Sequence, residues 1–195
     1  MDETARRTGT SAASLFLFTK NDISRLQSLI EATTRPSYSC GPPKKIGTKA
    51  QGKLKADEWK AGIEFELTVY LMKEWYSQDT STIGNDEGRA LRHGLAVSTI
   101  HLACAVRQAT SYITSPSHQA SCTAHMRLYL ASLLKYRPDI PLRPCHHNAQ
   151  HFPDFLPRFG PSPGWWMFPF ERVNGLLQQV NTNGKQGQSS ILSLA

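Results

Sequence analysis

Residues 115–136 read SPSHQASCTAHMRLYLASLLKY, and the segment declares itself a helix from its first two positions. The Ser115 hydroxyl suits the unpaired N–H groups of a helix start, and Pro116 carries the φ of a first helical residue while lacking an N–H that would go unused there. Met126, Tyr129, Leu130, Leu133 and Leu134 then recur with the spacing of one helical face. Pro138, Pro141 and Pro144 end the segment, because proline cannot donate into a continuing ladder. A helix over 116–136 is expected, with those five side chains inward.

The same period extends upstream. A helix over 89–113 would place Leu91, Leu95, Leu102, Val106 and Ala109 inward. Another over 56–76 carries Trp59, Ile63, Leu67 and Tyr70 on one face, with Phe65, Val69, Met72 and Trp75 widening it into a deeply buried stripe. Asp22 is expected to cap a short helix over 23–32 that buries Leu26, Leu29 and Ile30. Residues 33–52 hold Pro36, Pro42, Pro43, Gly41, Gly47 and Gly52 and read as an extended loop, and 77–88 reads as a polar one. Lys44, Lys45, Lys49, Lys53 and Lys55 are either phosphate contacts or solvated linker charges.

Pro169 can open a last helix over 169–181, with Phe170, Val173, Leu177 and Val180 inward. No stretch alternates with strand period, and there is no repeat of 20–50 residues. The expectation is all-α: an irregular bundle of four or five helices over 21–181, between a polar tail at 1–20 and a Gly-, Gln- and Ser-rich tail at 182–195.

Of the 195 residues, 39% are hydrophobic, and four Trp, eight Phe and six Tyr are enough to seed a core. No apolar run approaches the roughly 18 residues of a membrane span, and Leu15 to Phe18 is too short for a secretion signal, so neither membrane insertion nor secretion is expected. Cys40, Cys104, Cys122 and Cys145 are scattered and read as reduced intracellular thiols, with Cys104 and Cys122 buried in helices. Residues 1–88 balance twelve acids against twelve bases, whereas 89–195 set ten bases against Asp139, Asp154 and Glu171 alone. The whole excess of +7 therefore lies in the second half, the footprint of a surface that meets phosphate or of a solvated basic face.

Residues 145–185 concentrate the chemistry. Cys145, His146, His147 and His151 form a compact group, and His147 and His151 share a face if the segment is helical. They lack a second cysteine pair, and Asn148 stands where a zinc protease needs its glutamate. They are read as satisfied, partly buried histidines against the aromatic block; zinc shared by His at i and i+4 is the weaker alternative, and no bound metal is expected. Trp165, Trp166, Phe168 and Phe170 are read as core, with base stacking as the alternative. Glu171 would sit in the first turn of the last helix, where the macrodipole favours an acid whatever its function.

This block resembles the C-terminal region of transposases of the CACTA (En/Spm) class in the version found in mushroom-forming fungi. The shared pattern comprises His146-His147, His151, Phe159-Gly160-Pro161, Trp166, Phe168 to Arg172, Asn174-Gly175, Thr182-Asn183 and Lys185. Upstream, Gly52-Lys53-Leu54-Lys55-Ala56-Asp57-Glu58-Trp59 is similar to a second segment of the family, so the resemblance spans roughly 35–185. It departs at Cys145, where the family has Asn, and after Lys185, where Gln186-Gly187-Gln188 replaces an acidic continuation.

The resemblance implies a DNA partner, met through the basic second half, and a nuclear location. It implies that 20–160 correspond to the helical insertion of an RNase-H-like transposase and that 169–181 form its closing helix. Glu171 would occupy the ancestral position of the third metal-binding carboxylate, with Arg172 as a structural partner or phosphate contact and Lys185 as a further binding residue. The two partner aspartates would sit on upstream strands, for which this chain has no counterpart. The chain is therefore expected to be a transposase-derived fragment and not an enzyme, without a cofactor; magnesium belongs only to the complete ancestral site. The alternative is a stand-alone helical protein-interaction module that does not meet DNA.

Overall fold

The computed structural model describes residues 18–36, 40–76 and 86–178, the side chains of 86, 87 and 172 excepted. Both expected tails beyond these limits, most of the polar loop over 77–88, Val180, Lys185 and the Arg172 side chain lie outside the described residues.

All regular structure in the described residues is helical: α1 (Lys20–Ala32), α2 (Ala56–Glu64), α3 (Glu66–Leu71), α4 (Asp86–Ala109), α5 (Pro116–Tyr136), α6 (Pro144–Phe159) and α7 (Phe168–Gln178). The all-α class thus holds. The helices beyond the four or five expected come from a break within 56–76 and from α6, a segment expected to be helical only conditionally.

Helix α5 starts and stops where its sequence signals. The Ser115 hydroxyl accepts the His118 N–H at 3.2 Å, Pro116 is the first helical residue, and the Arg137 N–H closes on Leu133 O at 2.8 Å before Pro138. Such a cap contributes about 1 kcal/mol. Leu130 is buried, and Met126, Tyr129 and Leu133 are half-buried, but Leu134 is exposed. A single side of the helix meets neighbours, and the expected stripe was one residue too wide.

Helices α4 and α5 form the most extensively packed pair, running antiparallel with Gly94 opposite Tyr136 and Ala105 opposite Cys122. The expected inward leucines of α4, Leu91, Leu95 and Leu102, are only half-buried, as are Val106 and Ala109. Full burial falls on Gly94, Ala96, Ser98, Ala103 and Ala105. Small residues line the closest approach because a large side chain there would hold the backbones apart. Cys122 is buried, and desolvation pushes its thiol up to about 11, whereas Cys104 is half-buried.

Helix α1 begins three residues earlier than expected. Thr19, not Asp22, is the cap: its hydroxyl accepts the Asp22 N–H at 3.2 Å while the Asp22 carboxylate accepts the Thr19 N–H at 2.7 Å. This reciprocal box satisfies two amides that a lone Asp22 cap would have left open. Leu26 and Ile30 then pack on Tyr70, Leu71, Trp75 and Ala96, flanked by Phe18, Leu29, Ile46, Leu67 and Leu95. Full burial of one such aliphatic or aromatic side chain stabilises by roughly 1.5–3 kcal/mol.

The expected continuous helix over 56–76 breaks at Phe65, where φ −137° and ψ −78° leave the helical region, and ends in a wide turn at Met72–Tyr76. The break re-aims the apolar stripe. Tyr70, Leu71 and Trp75 reach the core, while Trp59, Phe65 and Val69 lie exposed and Ile63, Leu67 and Met72 are half-buried. The Thr68 hydroxyl donates to Ile63 O across the break at 2.5 Å and replaces part of the lost ladder. Glu66 turns inward to 1% exposure, held by the Arg35 guanidinium.

The loop leading to α2 is irregular, as expected, and its lysines Lys44, Lys45, Lys49, Lys53 and Lys55 are all exposed. Among the described residues no helix is long and apolar enough to cross a membrane.

Candidate functional site

The region singled out by sequence is built by α6, the turn after it and the start of α7. Pro144 presets the first residue of α6, and the Arg143 N–H donates to His146 Nδ1 at 3.0 Å. His146 is thereby committed to its own helix start. His147 and His151 follow one turn apart on the same face, with Nε2 to Nε2 at 3.1 Å. The next residue on that face is Asp154, whose Oδ2 lies 4.0 Å from His151 Nδ1. His147, His151, Asp154 and Cys145 are exposed. The expected burial of these histidines against the aromatic block is therefore corrected: α6 turns Pro153 and Leu156 inward instead, because its apolar positions fall on the opposite side. Of the four-residue group read from sequence, only His147 and His151 meet. Among the described residues, no group of three or more His, Cys, Asp or Glu side chains is placed to hold a metal ion.

The aromatic block divides. Gly160, at φ +76°, lets the chain reverse at the end of α6, a conformation that a Cβ would strain. The Trp165 indole N–H then donates to Gly160 O at 3.0 Å, and its ring sits among Phe152, Phe155 and Phe159 at centroid distances of 5.3, 6.3 and 6.1 Å. Ser162, 1% exposed, donates to Ala109 O at 2.7 Å and pins this turn to the end of α4. Trp166 lies between Tyr112 and Phe168. Trp165, Trp166 and Phe168 are half-buried, which fits a small satellite core.

Phe170 does not share that role. Helix α7 has no substantial helix partner among the described residues, and Met167, Phe170, Val173, Leu176 and Leu177 are each more than half exposed. The expected inward face of the last helix is an outward one here. Glu171 occupies the first turn as expected, its N–H bonded to Met167 O at 2.9 Å and its side chain in solvent. Neither Asp139 nor Asp154 joins it in a carboxylate cluster. Asp139 instead takes two hydrogen bonds from Arg137, at 2.8 and 2.7 Å, which hold its carboxyl below the ordinary value.

Two features escaped sequence reading. His101 on α4 and His125 on α5 meet with Nδ1 to Nδ1 at 3.1 Å inside the hairpin, and only the register of two antiparallel helices could have paired them. An open cleft of about 320 Å³ lies beside the break at Phe65, lined by Arg35, Cys40, Asp57, Lys60, Glu64 and Tyr112 among others. Its charges are mostly spent internally: Lys60 binds Glu64 at 3.0 Å and the Thr110 hydroxyl donates to Glu64 at 3.2 Å. No family profile, curated protein or solved structure matches the chain.

Proposed function

We propose that the chain is a transposon-derived protein, a fragment of a CACTA-type DNA transposase, whose remaining task is to contact the phosphate backbone of duplex DNA in the nucleus. The observation that carries the reading is the set of uncommitted positive side chains in the second half. Arg107, Arg127 and Arg158 are exposed and make no ion pair among the described residues. Of the three acids of the second half, Asp139 is spent on Arg137 and Asp154 faces His151. Unpaired exposed guanidinium groups suit phosphate oxygens, which they meet as charge-assisted donors. In this reading Glu171 keeps the ancestral position of a metal-binding carboxylate, Arg172 and Lys185 add phosphate contacts, and the chain has no catalytic activity and no catalytic cofactor.

The test is the anisotropy of a labelled duplex titrated with the protein over a series of salt concentrations. Binding should fall linearly on a log–log scale with a slope of about −0.9 per phosphate neutralised. Arg127→Glu and Arg158→Glu should each flatten that slope by about one unit without sequence preference. Absence of binding at low salt would refute the DNA reading.

A second reading has its own support. The open apolar face of α7 suits a helical protein-interaction module, because contiguous exposed apolar surface at Phe170, Val173 and Leu177 costs solubility unless something covers it. DNA affinity that survives Phe170→Glu together with Leu177→Glu separates the two functions.

A further inference from the structure

We propose that His147 and His151 form a surface site for one divalent transition-metal ion of the imidazole-preferring kind, Cu(II), Ni(II) or Zn(II), with Asp154 as the carboxylate behind His151. The two Nε2 atoms are 3.1 Å apart. With metal–nitrogen bonds of about 2.0–2.1 Å, that spacing corresponds to an angle at the ion of about 100°, between the square-planar and tetrahedral values. The same spacing also suits a hydrogen bond from one ring to the other, so the tautomer decides which prevails. Asp154 biases it: a carboxylate facing His151 Nδ1 draws the ring proton to that nitrogen and leaves the Nε2 lone pair toward His147. The separation is 4.0 Å, a gap that a small side-chain rotation or a bridging water would close.

The surroundings define what the site can hold. Both rings are exposed, so the remaining coordination positions are open to water. His146 is occupied by the Arg143 amide, and Cys145 lies around the helix from His147, so the protein supplies two ligands and binding is weaker than in a closed four-ligand structural site. The clip also falls where α6 needs it. Pro153 and Pro157 lie inside the helix and donate nothing to Ala149 O and Pro153 O, so the ladder thins immediately after His151. An ion joining residues one turn apart holds the last fully bonded turn before that stretch.

The experiment uses the untagged full chain with the exposed thiols removed as Cys40→Ser and Cys145→Ser, so that sulfur does not compete. Equilibrium dialysis against nickel chloride should give one saturable equivalent, and Cu(II) added to the same protein should show an electron-spin spectrum split by two nitrogens. His147→Ala and His151→Ala should each abolish that equivalent, and Asp154→Asn should weaken it by about tenfold or more. His101→Ala should leave it intact. Circular dichroism shows whether each variant folds, and amide exchange in α6 should slow on nickel addition in the parent and stay unchanged in His151→Ala. No saturable nickel binding, or binding that persists in folded His147→Ala and His151→Ala, overturns the proposal, as does loss of the ion in folded His101→Ala.

Discussion

The Tyr70 hydroxyl donates a 2.8 Å hydrogen bond to Oδ1 of Asp22, a residue 48 positions earlier in the chain. The other oxygen of the same carboxylate accepts the Thr19 amide, so one side chain closes the start of α1 and joins it to α3. Burial alone would raise the Asp22 carboxyl. The Thr19 hydroxyl and amide, the Tyr70 hydroxyl and the Arg92 charge outweigh it and hold the group below its ordinary 3.8. A carboxyl depressed in the folded state stabilises fully above its unfolded value and loses that contribution as pH falls through the folded one. Tyr70 works at the opposite limb: burial first, then the bond to Asp22, raises its phenol well above 10, so its contribution fades as pH climbs past 10. Urea denaturation should show stability declining below about pH 4 and above about pH 10. Tyr70→Phe should cost about 1–3 kcal/mol at pH 7 and flatten the alkaline limb. An unchanged alkaline limb in that variant would contradict this account.

Gly94 faces the Tyr136 ring so closely that a Cβ would overlap it. In an open helix, Gly→Ala gains roughly 0.5–1 kcal/mol from backbone entropy. Here the clash decides the sign, and Gly94→Ala should destabilise by about 1–3 kcal/mol through overpacking of α4 on α5. In a Tyr136→Ala background the same substitution should become neutral or favourable. A double-mutant cycle in denaturant measures this directly, and strict additivity would show that the ring yields without cost.

Arg35 is half-buried and pairs with the fully buried carboxylate of Glu66. The Arg35 Nε donates to Glu66 Oε1 at 2.8 Å, and the guanidinium also reaches Cys40 O at 3.3 Å, so the pair ties the early loop to the break in the helix. Both Arg35 contacts to Glu66 fall on Oε1, and Glu66 Oε2 has no hydrogen-bond partner among the described residues. Arg35→Ala therefore strands a carboxylate in the interior and should cost about 3–5 kcal/mol. Arg35→Met combined with Glu66→Leu should recover most of that loss, because the ions are then gone together. Thermal melts of the single and double variants provide the check.

His101 and His125 give the α4–α5 hairpin an acid-sensitive joint. Desolvation first, then the neighbouring His125, lowers His101 below its ordinary 6.5. The unfolded chain takes up the proton more readily, so stability present above about pH 6.5 is lost as pH falls through the folded value. His101→Gln should reduce the drop in urea midpoint between pH 7.5 and pH 5. A drop of equal size in that variant would assign the acid sensitivity to other groups.

These relationships differ in how far sequence exposes them. Helix α5 was legible to the residue because its cap, its first-position proline and its terminating proline all act within one turn. Helix α6 was legible only as the condition for His147 and His151 to share a face; Pro153 and Pro157 lie inside it, and Pro153 packs inside the fold. The break at Phe65 has only Gly62, three residues upstream, to announce it, and it lies beside the Arg35–Glu66 pair, whose members stand 31 residues apart in the chain. His147 and His151 could be placed on one face from their spacing alone, yet their exposure depended on which side of α6 the bundle covers. The His101–His125 contact needed the register of two helices, a property that neither helix carries in its own period.

Glu171 is the residue on which the ancestral reading rests most directly, and its surroundings set a clear expectation. It lies in the first turn of α7 with its side chain in solvent, and no second carboxylate converges on it among the described residues. Phosphodiester cleavage by two metal ions requires several carboxylates to fix both ions across the attacking and leaving oxygens. Misplacement by about one ångström already costs on the order of 10²-fold. The purified chain with magnesium or manganese should therefore leave supercoiled plasmid intact over hours. Glu171→Gln should shift stability by no more than about 1 kcal/mol, the scale of an exposed charge at a helix N-terminus. Agarose electrophoresis of the plasmid and a melt of the variant measure the two outcomes. Metal-dependent nicking that disappears in Glu171→Gln would instead identify a working site, and Asp139→Asn and Asp154→Asn would then show which further carboxylates complete it.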